Sequence, residues 1–203
     1  MGAARGIDGM TFVYIVRCNF TAPEHAQEKE AAWNAWYSGP KIQQMLAKPY
    51  FRTCQRFRRD TGSGRNYLAL WTLTSPEAHR TPEYKSDWGF FEWERNVVDW
   101  SRDLFDARHV PDDSFGVKRA GSLRVVSFDH MNADVAEAAR ASAAKAAPNM
   151  MWLPIAGLDR HTPMIGLQPL PAGASPVPQG DFGPDAQQAV YRPISDLYTA
   201  APR

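Results

Sequence analysis

Five side chains in this sequence pair a reactive type with a placement where reactive groups are useful: His79, His130, Tyr37, Tyr84 and Lys41. A histidine titrates at about 6.5 and suits proton abstraction near neutral pH. His79 stands where an alternating strand gives way to a helix start (Ser75-Pro-Glu-Ala-His79), and strand ends face cavity mouths. His130 closes a later strand, where alternation groups it with Phe128 and Val126; turned inward, it would face the sheet of the first half. Either histidine is a candidate base. Tyr37 and Tyr84 could hydrogen-bond a substrate oxygen or act as acid, and Lys41 could hold an enolate or phenolate oxygen. A surface lysine, an exposed helix histidine and core tyrosines are the plainer readings of the same residues.

Around these groups lie many rings. Six of the seven tryptophans fall between Trp33 and Trp100. Trp36, Trp71, Trp88 and Trp93 read as walls of an apolar pocket, and Arg56 as a group that could bind a carboxylate or phenolate. A dense core and a surface ion pair are the alternatives. No two histidines share metal-binding spacing, so no metal is expected. There is no GxGxxG loop, Walker motif or Gly-x-Ser-x-Gly elbow, so no cofactor signature and no serine or cysteine nucleophile is expected.

To position such groups the chain has 203 residues, 44% of them apolar, enough for a buried core. Net charge is +1 without a long basic run, which argues against nucleic acid as a partner. No apolar run spans a membrane, and residues 1–10 lack the apolar stretch of a signal peptide. Two cysteines, Cys18 and Cys54, make no disulfide framework. A cytoplasmic protein is the expectation, with a small hydrophobic substrate as partner and pairing of whole chains left open.

The elements follow from periodicity. Thr11–Phe20 alternates as a strand. A helix runs from His25 to about Leu46, with Ala32 and Trp36 among its inward residues and a kink at Ser38-Gly39-Pro40. Tyr50–Arg58 is a strand with Phe51, Thr53, Gln55 and Phe57 on one face, and it forms a hairpin with Asn66–Thr74. Helical turns start at Ser75 and Thr81, with Tyr84, Trp88 and Phe91 on one stripe. Val97–Asp106 suits a strand or a helix end. Residues 108–121 read as a linker. A strand (122–130), a helix to Ala147, strands at 150–160 and 164–170, a Pro/Gly loop and a last strand at 187–195 follow. The prediction is an α+β fold: a ferredoxin-like βαββαβ repeat at 11–107, and a degenerate second repeat at 122–203 with its second helix replaced by the loop. Packed face to face, the two sheets would clasp an oily chamber lined by Tyr37, Trp71 and Tyr84.

The segments WNAWYSGPKIQQMLAKPYFRTCQRF and NYLALWTLTSPEAHRTPEYKSDWGFFEW, within residues 11–106, resemble the EthD-like branch of the dimeric α+β barrel superfamily. Relatives carry an acidic-acidic-His element where this chain has Ser38-Gly39-Pro40-Lys41, and Pro-Gly-Phe where it has Pro49-Tyr50-Phe51. A catalytic role of that histidine would be lost here or pass to Lys41 or another residue. The resemblance and the ring-rich, cofactor-free composition together imply a cofactor-independent lyase or isomerase acting on a small hydrophobic, aromatic or lactone-like catabolic substrate by general acid/base proton transfer. The alternatives are a non-catalytic binder of a hydrophobic small molecule and a haem-binding relative.

Overall fold

The computed structural model describes residues 11–145, 147–174 and 181–202. Its strands are β1 (Phe12–Phe20), β2 (Phe51–Gly62), β3 (Tyr67–Leu73), β4 (Val97–Asp106), β5 (Ser122–Ser127), β6 (Met151–Leu158), β7 (Met164–Leu170), β8 (Gln187–Pro193) and the short β9 (Tyr198–Thr199). They pair in the order β3-β1-β4-β6-β7-β5-β8-β2, and β2 pairs with β3 again, so eight antiparallel strands close on themselves as a barrel. Closure leaves those strands no open edge. The first half contributes β4-β1-β3-β2 and the second β6-β7-β5-β8; the halves meet at β4–β6 and β8–β2. The ambiguous segment 97–106 is a strand.

Alternation decides what each face buries. Val13, Ile15, Leu68, Leu70, Phe105, Leu123, Val125, Leu153, Ile165 and Leu167 point into the barrel and fill it. The expected chamber between the two sheets is therefore a solid core. Residues 108–121 contribute to it: Phe115 and Val117 pack into the same interior, and Gln55 is hydrogen-bonded to both the amide and the carbonyl of Val117. The opposite face of the first half carries Tyr14, Val16, Tyr67, Ala69, Trp71 and Leu104, and the helices cover it. Tyr37, Trp71 and Tyr84 belong to this outer layer, not to the barrel interior.

In β2 the expected faces hold only in part. A bulge between Phe51 and Thr53 shifts the register against β3. Phe51 joins Cys54 under the helices, while Gln55 and Phe57 turn inward. One extra residue in a strand exchanges faces.

The covering helix departs from its expected kink. Helix α1 (Ala26–Trp36) continues through a π-helical turn, Tyr37–Lys41, into α2 (Ile42–Leu46). Pro40 has no N–H to give, and the amide of Ile42 bonds the carbonyl of Tyr37, five residues back. The wide turn keeps Trp33, Tyr37 and Lys41 on one buried stripe; Ala32, expected inward, is exposed. A 3-10 turn (Pro76–Arg80) and α3 (Pro82–Asp87), each capped by a Ser or Thr side chain, complete the layer. Helix α3 stops at Asp87, so Trp88 and Phe91 do not continue Tyr84's buried stripe: they are 38% and 50% exposed. Helix α4 (Ala133–Ala143) covers the second half over Val126, Phe128 and Phe182. The expected loop at 169–184 lies partly outside the described residues, as does the reading of residues 1–10. Among the described residues no helix is long and apolar enough to cross a membrane.

Candidate functional site

Between the sheet of the first half and its helices lies a small cavity of about 30 Å³, lined by Tyr14, Val16, Tyr37, Lys41, Met45, Trp71, Trp88, Gly89, Phe90, Trp100 and Arg102. Strands β1, β3 and β4 supply its floor, the π turn one wall, and the segment after α3 its mouth. A larger, open groove lies elsewhere, along Tyr50–Thr53 and Asp112. Its polar groups pair with each other, Arg52 and Thr11 with Asp112 and Thr53 with Thr72, so it presents little free chemistry.

Lys41 is the one expected catalytic residue whose ammonium borders the cavity in a perturbed state. The π turn carries it inward, to 5% exposure. Its Nζ donates to the Asp87 carbonyl at 2.6 Å and lies 4.6 Å from the Phe91 ring centroid. Burial, and secondarily Lys48, lower its pKa from 10.5 to about 8, with Asp87 pulling the other way. Across the cavity stands Tyr14, whose hydroxyl lies 3.2 Å from that of Tyr84. Arg102 also lines the cavity, its guanidinium 4.1 Å from the Trp88 ring centroid. Burial raises both tyrosines, Tyr14 well above 10.0, so they stay neutral donors. Trp71 adds an indole N–H that is buried without a partner.

The other candidates fall elsewhere. His79 is buried behind the tyrosines, its ring 4.7 Å from Tyr14 and 4.9 Å from Tyr84, and does not line the cavity. Burial lowers its pKa to about 4, against a hydrogen bond to the Pro76 carbonyl, and its Nε2 has no partner. His130 is exposed at a barrel end, in a left-handed conformation (φ 62°), its ring edge-on to His161 with centroids 4.0 Å apart. Strand β5 ends three residues earlier, so the alternation that would have turned His130 toward the first sheet no longer applies. Arg56 is fully engaged: it donates to the Asn34 carbonyl and side chain and to Ser38, with its guanidinium 4.7 and 4.3 Å from the Trp33 and Tyr37 ring centroids. Trp36 and Trp93 pack beside the helix layer outside the lining, while Trp71 and Trp88 line the cavity. Tyr37 lines the cavity too, its hydroxyl pKa raised by burial.

Tyr14, Trp100 and Arg102 were not singled out from the sequence. The signal was present: read as a strand, 97–106 puts Trp100, Arg102 and Leu104 on one face, and β1 puts Tyr14 on the face of Phe12 and Val16.

A haem does not fit this site. The cavity is far below the roughly 300–1,000 Å³ of ordinary ligand pockets, so that even a single ring requires it to widen and a macrocycle far more so. The nearby histidine is wedged edge-on between two tyrosines.

No family model matches the chain, and no curated protein matches it in sequence. Among solved structures it is similar to an anthrone oxidase-like protein, with a TM-score of 0.58 and 10% identity over 97% of this chain and 95% of that one. It is also similar to a chlorite dismutase-like protein, with a TM-score of 0.50 and 8% identity over 92% of this chain and 95% of that one. A third likeness is to a mutant chlorite dismutase from Candidatus Nitrospira defluvii, with a TM-score of 0.50 and 9% identity over 92% and 93%. Identities this low speak for architecture. With its helix-covered, closed antiparallel sheet, the chain has the fold of the dimeric α+β barrel superfamily.

Proposed function

We propose that the protein is an enzyme that moves a proton on a small hydrophobic substrate, aromatic or lactone-like, without a cofactor, as a lyase or isomerase does. Lys41 in its neutral form takes a proton from an acidic C–H or O–H of the substrate. The electron pair left behind moves onto the substrate's oxygen, where the Tyr14 hydroxyl and the unpartnered Trp71 N–H can donate to it. Lys41, now an ammonium, returns the proton to another atom. The observation that carries this reading is a buried lysine, its pKa lowered by burial to about 8, that shares a ring-lined cavity with the Tyr14 hydroxyl and the unpartnered Trp71 N–H.

Further features support it. The EthD-like pattern of residues 11–106 suits such chemistry, with Ser38-Gly39-Pro40-Lys41 standing where relatives carry their acidic-acidic-His element. The name of the anthrone oxidase-like neighbour suits an aromatic ketone as substrate class. Two ferredoxin-like repeats, 11–107 and 122–203, joined by 108–121, account for the strand order within each half. Two free, buried cysteines suit a reducing, cytoplasmic setting. Closing the barrel needs no second chain. The cavity must widen to admit a ring, and Trp88, in the segment Trp88–Trp93, is a part of its wall with exposed outer surface, as is Trp100. Gly89, at φ +116°, gives that segment a conformation few other residues take.

The test is deuterium wash-in, followed by NMR, on a panel of cyclic aromatic ketones and phenolic lactones in D2O. Enzyme-dependent exchange that falls about 100-fold or more in Lys41→Met is expected. No exchange on any member, or exchange indifferent to Lys41→Met, overturns the reading. Saturable binding without exchange would favour a non-catalytic binder.

A further inference from the structure

Arg102 is held in place by a residue of the other half of the barrel. Its backbone amide donates to Asp159 Oδ2 at 3.0 Å and its Nε to Oδ1 at 3.2 Å, while the Asp159 amide donates to the Arg102 carbonyl at 3.0 Å. Asp159 follows β6 in a turn whose flanking residues, Leu158 (φ 65°) and Arg160 (φ 53°), both take the left-handed conformation. Such backbone is unfavourable for residues other than glycine and persists where surrounding contacts impose it. The Nε is thus committed to Asp159. A guanidinium has five N–H donors, so terminal donors remain on a group that lines the cavity and lies over Trp88. The carboxylate of Asp87, the other acid near the mouth, is engaged by Lys48.

We propose that Arg102 is the specificity determinant of this cavity: its guanidinium binds an anionic oxygen, carboxylate or phenolate, carried by a flat apolar substrate, and Asp159 is its positioning residue. A fork of fixed orientation beside tryptophan faces recognises a planar anion better than a mobile ammonium does. The second half of the chain thereby contributes to a cavity built otherwise from the first. The proposal rests on reading this cavity as the substrate site, but not on Lys41 as base.

The test is calorimetric titration with benzoate and with its neutral isostere benzamide, alongside thermal unfolding of each variant. The wild type is expected to bind benzoate at least about 10-fold more tightly than benzamide. Arg102→Gln should abolish that preference while leaving benzamide affinity in place. Arg102→Lys should recover it in part, and Asp159→Asn should reduce it without a matching loss of thermal stability. Equal wild-type affinities overturn the anion assignment and leave the cavity standing. A preference that survives in Arg102→Gln also overturns it, and points to Lys41. Equal loss of both ligands in Asp159→Asn overturns its positioning role. Failure of both compounds to bind the wild type overturns the cavity as substrate site, and this proposal with it.

Discussion

The hydroxyl groups of Tyr14 on β1 and Tyr84 on α3 lie 3.2 Å apart, buried, 70 residues apart in sequence. The pair joins the sheet to the helix layer beside the cavity that Tyr14 lines. Tyr14→Phe removes the group that faces the cavity and is expected to lower turnover in the exchange assay about 100-fold. Tyr84→Phe acts only through Tyr14, so a loss nearer 10-fold is expected. Both should cost about 1 kcal/mol in urea unfolding. Unchanged turnover in Tyr14→Phe removes that hydroxyl from the mechanism.

The pH dependence follows from Lys41. With a folded pKa of about 8, the neutral amine grows as pH rises, so the rate should climb up to about pH 8 and level off above it. Folding shows the same group. The unfolded lysine keeps its proton up to about pH 10.5, so between about 8 and 10.5 the unfolded state binds more protons and stability from this residue rises with pH. Lys41→Arg, which cannot lose its proton, should be inactive and lack that rise. A rate profile flat from pH 6 to 9 excludes Lys41 as base.

His79 gives an opposite expectation for activity. Its folded pKa is about 4, below the ordinary 6.5. As pH falls from about 6.5 to 4, the unfolded histidine takes a proton that the folded one refuses, and stability is lost. His79→Phe should therefore keep turnover within a few-fold and flatten the acid side of the stability curve. A loss of about 100-fold would instead make His79 the base.

Arg56 and Asp129 are expected to matter for stability alone. Arg56→Met strips donors from Asn34 and Ser38 and is expected to cost about 2–4 kcal/mol in urea unfolding, with ligand affinity kept by the folded fraction. Asp129 accepts from Arg17 and Arg65, each at 2.8 Å, at one end of the barrel. Burial pushes its carboxyl up, but the two arginines outweigh it and hold the pKa below 3.8. Its stabilisation is present above the ordinary carboxylate range and lost as pH falls through it. Asp129→Asn should cost about 2 kcal/mol, because two buried guanidinium groups each lose one carboxylate partner, Arg17 keeping Asp103 and Arg65 keeping Asp99. Unaltered urea midpoints in either variant would contradict these roles.

Periodicity alone was enough for β1 and β3. Phe12, Tyr14, Val16 and Cys18, and Tyr67, Ala69, Trp71 and Leu73, lie on the faces that alternation assigns them. The bulge in β2 was not legible, because nothing local distinguishes Arg52 as an extra residue. Nor was the π turn: Gly39-Pro40 marks a disturbance, yet whether a helix breaks or widens depends on what the next turn can bury. The 97–106 segment stayed ambiguous because a strand that is buried on one face and ends in charges satisfies both periods.

What the sequence determined by itself was most of the strands, the α+β class and a ring-rich first half, since these follow from side-chain size and spacing along the chain. Only the tertiary structure decided which face of the sheet holds the cavity. Barrel closure filled the interior with aliphatic side chains and left the rings beneath the helices. It also decided that Lys41, rather than a histidine, lines the cavity, and that Asp159 stands behind Arg102. Burial and the approach of residues distant in sequence set a group's pKa and its partners, and neither is a property of local pattern.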